Sequence, residues 1–336
     1  MDILKSKDHS KSKDHLKSQD LSLNPNSNDS FTNKNYQPVR PSSTSLFRFG
    51  SFNSKNAELI KTIEQRGDFK GSKTYHFQDL TIEVQGQVLE YDETTSKVFN
   101  LALTKYEKTH NSIIKFTLKE FMDLTGLKDR KNASYQLARA TKNLYAISIE
   151  RDNLDSLRVK QLDYEPFTQG IRLLSSRKYE RGKGYIKFTD ELINALKLRT
   201  RPMIYPKIFF KLKGTAYYLL DVLLYNKQVN IRNTTARQNR VKFKTILKHC
   251  SNLPNWEEVK NREQRKRIIN PIKKAIEVDL KDIISCSFID LEGNSRQYID
   301  NLPTVGFPDC TLVVDDWKNI INMEQLNRIK NIKKKL

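Results

Sequence analysis

The sequence lacks the long apolar run that a membrane-spanning helix needs. Its most apolar stretch, AYYLLDVLLY from Ala216 to Tyr225, is interrupted by Asp221 and is shorter than the roughly 20 residues that cross a bilayer. The first residues, MDILKSKDHS, carry charges where a secretory signal has an apolar core. We therefore expect a protein that is neither inserted in a membrane nor exported.

Cysteine is scarce and widely spaced, with only Cys250, Cys286 and Cys310. An odd number of cysteines without a CxxC pair favours neither a disulfide framework nor a thiolate metal site. The histidines are isolated or lie near the N-terminus, and no GxxxxGK[ST] phosphate loop occurs. These absences predict no metal, no cofactor and no ATP hydrolysis, and they fit a reducing bacterial cytoplasm.

Positive charge, by contrast, is abundant. The chain has 60 Lys and Arg against 39 Asp and Glu, a formal net charge of +21. Such an excess indicates a polyanionic partner, most simply nucleic acid, with an anionic membrane surface as the rival. RNA is the weaker nucleic-acid option because no aromatic motif of the RNP type stands out.

The N-terminal segment is of low complexity. Residues 5 to 21 read KSKDHSKSKDHLKSQDL, and sequence rich in Asn, Ser and Pro follows as far as about Ser45. Too little apolar surface is available there to offset the entropy of ordering the chain. We expect residues 1–73 to be a disordered basic tail and linker, in which His9 and His15 are solvated rather than metal ligands.

The first folded unit is predicted over residues 74–200. It begins with a helix from Asp92 to Lys108, whose N-cap is Asp92 or Thr94. A strand SIIKF and a short helix TLKEFMDLTG follow, in which Thr117 and Glu120 form a capping box and Gly126 a stop. A longer helix, DRKNASYQLARATKNLY, then precedes two expected hairpin strands, AISIERD and RVKQLDY. In that helix, apolar spacing predicts an inward face of Leu137, Thr141, Leu144 and Tyr145, and an outward stripe of Asn132, Gln136, Arg139 and Asn143.

The second unit, residues 201–316, repeats this order. GTAYYLLDVLLYNKQVN is a long helix with Ala216, Leu220, Leu223 and Leu224 inward, NRVKF a strand and KTILKHC a short helix. The basic stretch NWEEVKNREQRKRIINPIKKAI takes the place of the third helix, with Pro271 expected to bend or restart it and Asn270 to cap the new start. IISCSFIDLEGNSRQYI supplies a strand pair with its tip at Glu292 to Asn294. Residues 317–336 read as a basic C-terminal tail, either frayed or an extra grip on phosphate.

Helix, strand, helix, turn, basic helix, hairpin is the order of a winged helix. We therefore predict an α+β protein with two tandem winged-helix domains behind the N-terminal tail. Between them, RKYERGKG joins two further strands, and a helix starts at about Asp190. The basic tip of that hairpin is as compatible with solvent as with phosphate.

In a winged helix, the third helix enters the DNA groove. Arg suits guanine, Asn and Gln suit adenine, and Lys mainly contacts phosphate. The second unit therefore offers the better reading helix, and the first unit a second contact, although a solvated charged face is the alternative for both. The candidates are Lys260, Asn261, Arg262, Gln264, Arg265, Lys266 and Arg267, then Arg130, Lys131, Asn132, Gln136, Arg139 and Lys142.

A strand-nicking enzyme would need a reactive tyrosine beside a metal site, and Tyr217-Tyr218 is the one pair that invites this reading. No His-x-His metal motif accompanies the pair, which lies inside an apolar helix where packing explains it. We expect no catalysis.

The two units resemble the Rep initiator proteins of iteron-bearing, theta-replicating plasmids, which consist of two tandem winged-helix domains. The resemblance rests on FTLKEFMDLTGLKDRKNASYQLARATKNLYAISIE and on VKFKTILKHC followed by RKRIINPIKKAIEVDLKDIISCSFI. It implies binding of directly repeated origin DNA, opening of AT-rich DNA and recruitment of host helicase and initiator. It also implies a dimer paired through the first domain that becomes an initiating monomer. A transcriptional regulator of the same fold and a nicking initiator are the alternatives.

Overall fold

The computed structural model describes residues 39–42, 49–50, 52, 54, 57–64, 71–78, 80–86, 91–151, 171–197, 201–206, 208–230 and 235–318. The N-terminal repeat with His9 and His15, the predicted strand RVKQLDY and residues 319–336 lie outside these ranges. No helix within the described ranges is long and apolar enough to span a membrane.

The elements alternate between short strands and helices, so the fold class is α+β, as predicted. The strands are β1 (Val39–Ser42), β2 (Glu58–Ile63), β3 (Ser72–Phe77), β4 (Leu80–Gln85), β5 (Ile113–Thr117), β6 (Ile147–Arg151), β7 (Ile171–Arg172), β8 (Leu174–Glu180), β9 (Lys183–Phe188), β10 (Arg201–Ile204), β11 (Arg240–Lys242), β12 (Ser285–Ile289), β13 (Ser295–Arg296) and β14 (Thr311–Asp316). The helices are α1 (Glu93–Thr109), α2 (Leu118–Thr125), α3 (Arg130–Tyr145), α4 (Asp190–Lys197), α5 (Thr215–Val229), α6 (Thr235–Asn239), α7 (Phe243–His249) and α8, a continuous helix over residues 261–279.

Local sequence signals set the helix ends of the first unit. The Asp92 carboxylate accepts from the Thr95 backbone N–H at 2.9 Å, which caps α1. Thr117 and Glu120 form the predicted capping box at the start of α2, and Gly126 ends that helix with a φ of 72°. Each feature satisfies backbone groups that the helix itself leaves unpaired, so these predictions are confirmed.

The strand order identifies a winged helix in each half. In the first half, three strands have the spatial order β5-β9-β8, and in the second half β11-β14-β12 with β13 at the edge. In both sheets the last of the three strands in the chain lies in the middle, between the strand that precedes the short helix and the strand that follows the long one. This shared topology confirms the prediction of two tandem winged helices.

The wing of the first unit is not the one that the sequence predicts. The hairpin with the RKYERGKG loop, which we placed between the domains, pairs with β5 and is itself the wing. β6 instead pairs with β4 and β7 in a separate sheet of order β2-β3-β4-β6-β7. The prediction failed because strand pairing is a long-range property, and β7 and the wing strands follow β6 only after a long connection.

Ordered structure begins before Thr74, so the assignment of residues 1–73 to a disordered tail and linker is wrong in part. β1 pairs with β10, and β2 pairs with β3. Phe49 and Phe52 are fully buried, with Phe49 5.2 Å from Phe99 between ring centroids. These two rings fill the core beside α1. They were missed because residues 1–73 are polar on average.

α5 is the central helix of the molecule, and it is buried nearly all round. Besides the predicted inward residues, Tyr217, Tyr218, Leu219 and Asp221 are also buried. The prediction of one apolar face is therefore incomplete, because the helix contacts both halves rather than one.

The two halves share one hydrophobic core, and polar contacts between α1 and the start of α5 reinforce it. Lys97, which is buried, pairs with Glu93 at 2.7 Å and donates to the Leu212 carbonyl at 2.5 Å. Glu93 accepts from the Gly214 backbone N–H at 2.6 Å. α1 thereby holds the segment that leads into the second unit, and the predicted boundary at residues 200/201 stays a prediction.

Candidate nucleic-acid interface

One row of exposed side chains runs along α8. Buried Ile268, Ile269, Ile272 and Ile276 fix one side of the helix in the core. On the opposite side, every fourth residue is exposed, and we call this row the outer ridge: Arg262, Lys266, Asn270 and Lys274. Within the described residues, its three cations form no ion pair. The outer ridge is therefore a cationic rod facing solvent, with one amide at its centre.

The regular spacing of the outer ridge follows from the helix geometry. Arg265–Ile269 and Ala275–Asp279 are π-helical, and they alternate with the α-helical segments Asn261–Gln264 and Asn270–Lys274. A π turn holds more residues than the 3.6 of an α turn. Residues four apart therefore stay aligned along the axis instead of drifting around the helix.

α8 continues through Pro271 without a restart, which was one of the two outcomes that the sequence predicted there. Asn270 has helical dihedral angles, φ −62° and ψ −40°, and so does not cap a new helix. Its backbone N–H donates to the Arg265 carbonyl in the i→i+5 manner of a π turn. Pro271 has no N–H to offer, and the π turn immediately before it lets the helix pass through the proline without a new start.

The burial of Gln264 argues against its predicted contact with a base. The side chain is buried, and its Nε2 donates to the carbonyls of Val259 at 3.2 Å and Trp256 at 3.3 Å. The amide thus ties the start of α8 to the turn before it. Lys260 and Asn261, in contrast, are exposed at the N-terminus of the helix.

Two candidate arginines beside the outer ridge are already paired. Arg265 lies 3.4 Å from Asp300, and Arg267 lies 3.5 Å from Glu263 within α8 itself. Both side chains are about half exposed, and pairs of that kind are weak. These arginines can therefore still reach a phosphate, but only by leaving a carboxylate.

Most of the polar stripe of α3 packs against α1: Gln136 and Arg139 are part-buried and Asn143 is buried, whereas Asn132 is exposed. Arg139 forms an ion pair with Asp92, and buried Asn143 donates to the Thr95 hydroxyl at 3.2 Å. Gln136 hydrogen-bonds with Asn132 at 3.0 Å and lies 3.4 Å from the Thr94 hydroxyl. Gln136 and Arg139 are consequently engaged in packing α3 on α1.

The exposed face of α3 lies a quarter-turn away. Tyr135 is 60% exposed, and Tyr145, predicted to face inward, is 38% exposed. Of the predicted candidates, Arg130, Lys131, Asn132 and Lys142 are exposed. A groove of about 600 Å³ separates this face from the wing tip, and its lining consists of Leu118, Arg130, Lys131, Ser134, Tyr135, Ala138 and Gly182.

The wing borders this groove and is held in place by a contact with α3. The hydroxyls of Ser134 and Tyr179 are 2.8 Å apart, so β8 is tied to the exposed side of the helix. The tip turns through Arg181 and Gly182, whose φ values are 48° and 76°. Arg181 and Lys183 are exposed there, and they add two cations beside those at the start of α3.

Chemistry other than binding finds little support in the described part of the chain. Tyr217 and Tyr218 are buried, and the Tyr217 hydroxyl accepts from the Asn100 amide at 2.5 Å and lies 3.2 Å from the Ser96 hydroxyl. No group of His, Cys, Asp and Glu in the described ranges could hold a metal ion. Burial raises the pKa of the Cys250 thiol, which disfavours a reactive thiolate.

Comparison with known proteins agrees with the resemblance seen in the sequence. Residues 78–216 match the family described as Initiator Replication protein, WH1. The similarity to replication initiators is thus confirmed for the first winged helix. The comparison with curated proteins gave no match.

Several solved structures have a loose likeness to the chain. A Pi initiator protein in complex with iteron DNA is 13% identical and covers 66% of this chain and 91% of its own, with a TM-score of 0.40. Domains 2 and 3 of RctB are 10% identical and cover 82% of this chain and 100% of their own, with a TM-score of 0.41. A second RctB structure of these domains is 9% identical and covers 81% and 97%, also with a TM-score of 0.41. The winged-helix assignment rests on the strand order described above.

Several surface residues of the candidate interface were missed from the sequence. Asn270 and Lys274 were expected in a bent or restarted segment, because a proline normally interrupts a helix. Tyr135 was not a candidate, because it belongs neither to the predicted inward face nor to the predicted outward stripe of α3. The spacing of four residues from Arg262 to Lys274 was the signal that could have shown the outer ridge.

Proposed function

We propose that this chain is a sequence-specific, non-enzymatic initiator of replication that binds directly repeated duplex DNA at an origin through both winged helices. The outer ridge of α8 carries the proposal. A single helix fits the major groove, which is about 12 Å wide, and the outer ridge presents one arginine and one amide for base edges and two lysines for phosphates. The family match over residues 78–216 supports the same function for the first unit.

In this proposal, the second unit reads sequence, and the first unit holds a neighbouring stretch of backbone. Arg262 and Asn270 are the residues for base contacts, because their side chains are suited to guanine and adenine. Arg130 and Lys131 at the start of α3, with Arg181 and Lys183 on the wing, are suited to phosphates. Pairing of two copies through the first unit, and recruitment of host helicase and initiator, remain predictions from the resemblance.

A supercoiled plasmid distinguishes initiation from the two alternatives. Sites selected from random duplex are cloned beside an AT-rich tract, and the full chain is added. Permanganate reactivity of the tract supports initiation, because only unpaired thymines react readily. Binding without melting supports a transcriptional regulator, and a nick with protein attached through tyrosine supports an enzyme.

A further inference from the structure

The wing of the second unit places a carboxylate against the recognition helix. The 3₁₀ helix Ile299–Asn301 lies in the segment between β13 and β14. Ile299 and Leu302 are 0% and 2% exposed, so this turn is anchored in the core on both sides of Asp300. Asp300 itself is exposed and faces the flank of α8.

Two cations of α8 converge on that carboxylate. One Asp300 oxygen lies 3.4 Å from the Arg265 guanidinium, and the other contacts the Lys273 ammonium. Arg265 also donates to the Leu302 carbonyl at 3.4 Å. The hydrogen bond that Lys273 donates to Asp300 raises the pKa of Lys273, because it favours the charged form of the lysine.

The positive charges on the flank of α8 that faces Asp300 are balanced by carboxylates, whereas those of the outer ridge are not. Lys273 is also 3.9 Å from Glu277, so Arg265 and Lys273 face two carboxylates. The three cations of the outer ridge face no carboxylate in the described residues. α8 therefore has one strip whose cations are available to DNA and, beside it, one strip whose cations are occupied.

A DNA phosphate would use the same donors as Asp300. Both are oxyanions, and guanidinium and ammonium groups bind either one. The side chains of Arg265, Lys273 and Asp300 are 42%, 32% and 45% exposed, so an exchange of partners requires rotation of side chains and no unfolding.

We propose that Asp300 is an internal competitor of the DNA backbone: it occupies Arg265 and Lys273 and thereby lowers the affinity of α8 for any duplex. This inference rests on the proposed function. As a consequence, the outer ridge provides the discrimination between DNA sequences. Asp300 weakens the attraction of α8 for the phosphate backbone of any duplex and leaves the base contacts of the outer ridge intact.

The test compares Asp300→Asn with Glu292→Gln in the full chain. Both variants remove one negative charge from the same wing, but Glu292 pairs with no cation in the described part of the molecule. We expect Asp300→Asn to raise affinity for both random and selected duplex by roughly tenfold, and to steepen the salt slope by about 2 as two further phosphates are neutralised. Glu292→Gln should change both quantities far less. Unchanged or weaker binding by Asp300→Asn would overturn the inference and indicate that Asp300 only positions Arg265.

A second comparison does not depend on altering Asp300. Arg265→Gln with Lys273→Gln should cost less affinity than Arg262→Gln with Lys266→Gln, because the first pair must leave Asp300 before it meets DNA. An equal or larger loss would contradict the competitor role. In the Arg265→Gln, Lys273→Gln background, Asp300→Asn should have no more effect than Glu292→Gln. Wild-type protein without salt-dependent duplex binding would instead refute the proposed function itself.

Discussion

Arg139 of α3 forms an ion pair with Asp92, the residue that caps the N-terminus of α1. The Asp92 carboxylate therefore caps the start of α1 and also holds α3 against it. Arg139 thus stabilises the packing inside the first winged helix. The same relationship removes from the interface a residue that sequence pattern alone places there.

Arg139→Ala is accordingly expected to affect stability and not DNA binding. Both side chains are less than one-third exposed, so loss of the pair should lower the free energy of unfolding by about 1 kcal/mol. Urea unfolding measures this change, and Lys142→Ala is the control because Lys142 is exposed on the same helix. A duplex affinity that falls more for Arg139→Ala than for Lys131→Ala would show that Arg139 contacts DNA after all.

Gln264→Ala should destabilise the second unit without altering discrimination between selected and random duplex. The substitution removes the Gln264 donor from the buried Val259 carbonyl and from the part-buried Trp256 carbonyl, which keeps the Val259 N–H, at a cost of about 2 kcal/mol. Thermal unfolding and competition gel shifts measure the two properties separately. A folded variant with reduced discrimination would restore Gln264 to the reading face.

The outer ridge should account for a measurable part of the salt dependence of duplex DNA binding. Arg262→Ala with Lys266→Ala is expected to reduce the slope of log affinity against log salt by about 1, since Lys266 is assigned to a phosphate and each phosphate contact contributes about 0.9. Discrimination should also fall, because Arg262 is assigned to a base. The control pair is Lys73→Ala with Lys197→Ala, exposed lysines on β3 and α4. An equal loss in the control pair would mean that only total charge matters.

Lys97 should couple the two halves. Its removal takes the donor from the Leu212 carbonyl and leaves Glu93 with the Gly214 N–H but without the buried ammonium, so Lys97→Ala is expected to lower the free energy of unfolding by about 3 kcal/mol. In a double-mutant cycle with Glu93→Gln, the two losses should not add. Additive losses would show that the interaction free energy between Lys97 and Glu93 is negligible.

Glu120 gives the first unit a predictable dependence on pH. Burial raises the pKa of this carboxyl despite its 2.8 Å pair with Lys105. The native state therefore binds the proton more tightly than the unfolded state, and the contribution of Glu120 to stability falls as pH rises from the usual value to the raised one. The stability of wild type relative to Glu120→Gln, measured by urea unfolding, should decline across that window. A relative stability that rises with pH would mean that the pair with Lys105 outweighs burial.

Helix caps, which depend on neighbouring residues, could be predicted from the sequence. Contacts between elements that are distant in the chain could not. The caps at Asp92, Thr117 and Gly126 depend on neighbouring residues, so pattern sufficed. Which polar stripe of α3 faces solvent depends on α1, a partner that the sequence of α3 does not specify.

The predictions of the wing of the first unit and of a helix restart at Pro271 failed for related reasons. The wing hairpin is separated from β5, its partner in the sheet, by two helices and by β6 and β7, so no local pattern could pair them. Pro271 normally ends a helix, and the π turn over Arg265–Ile269 that accommodates it has no sequence signature. The basic composition of α8 was still enough to single out this helix as the candidate interface, although not to choose its exposed residues.

Binding-site selection from random duplex DNA tests the central claim most directly. The full chain is incubated with the pool at moderate salt, and bound DNA is recovered and sequenced through several rounds. The outer ridge of α8 predicts convergence on one motif, with direct repeats among the longest recovered sites, and loss of that motif with Arg262→Ala and Lys266→Ala. A pool that binds with a steep salt slope but stays as random as the input would contradict sequence-specific recognition.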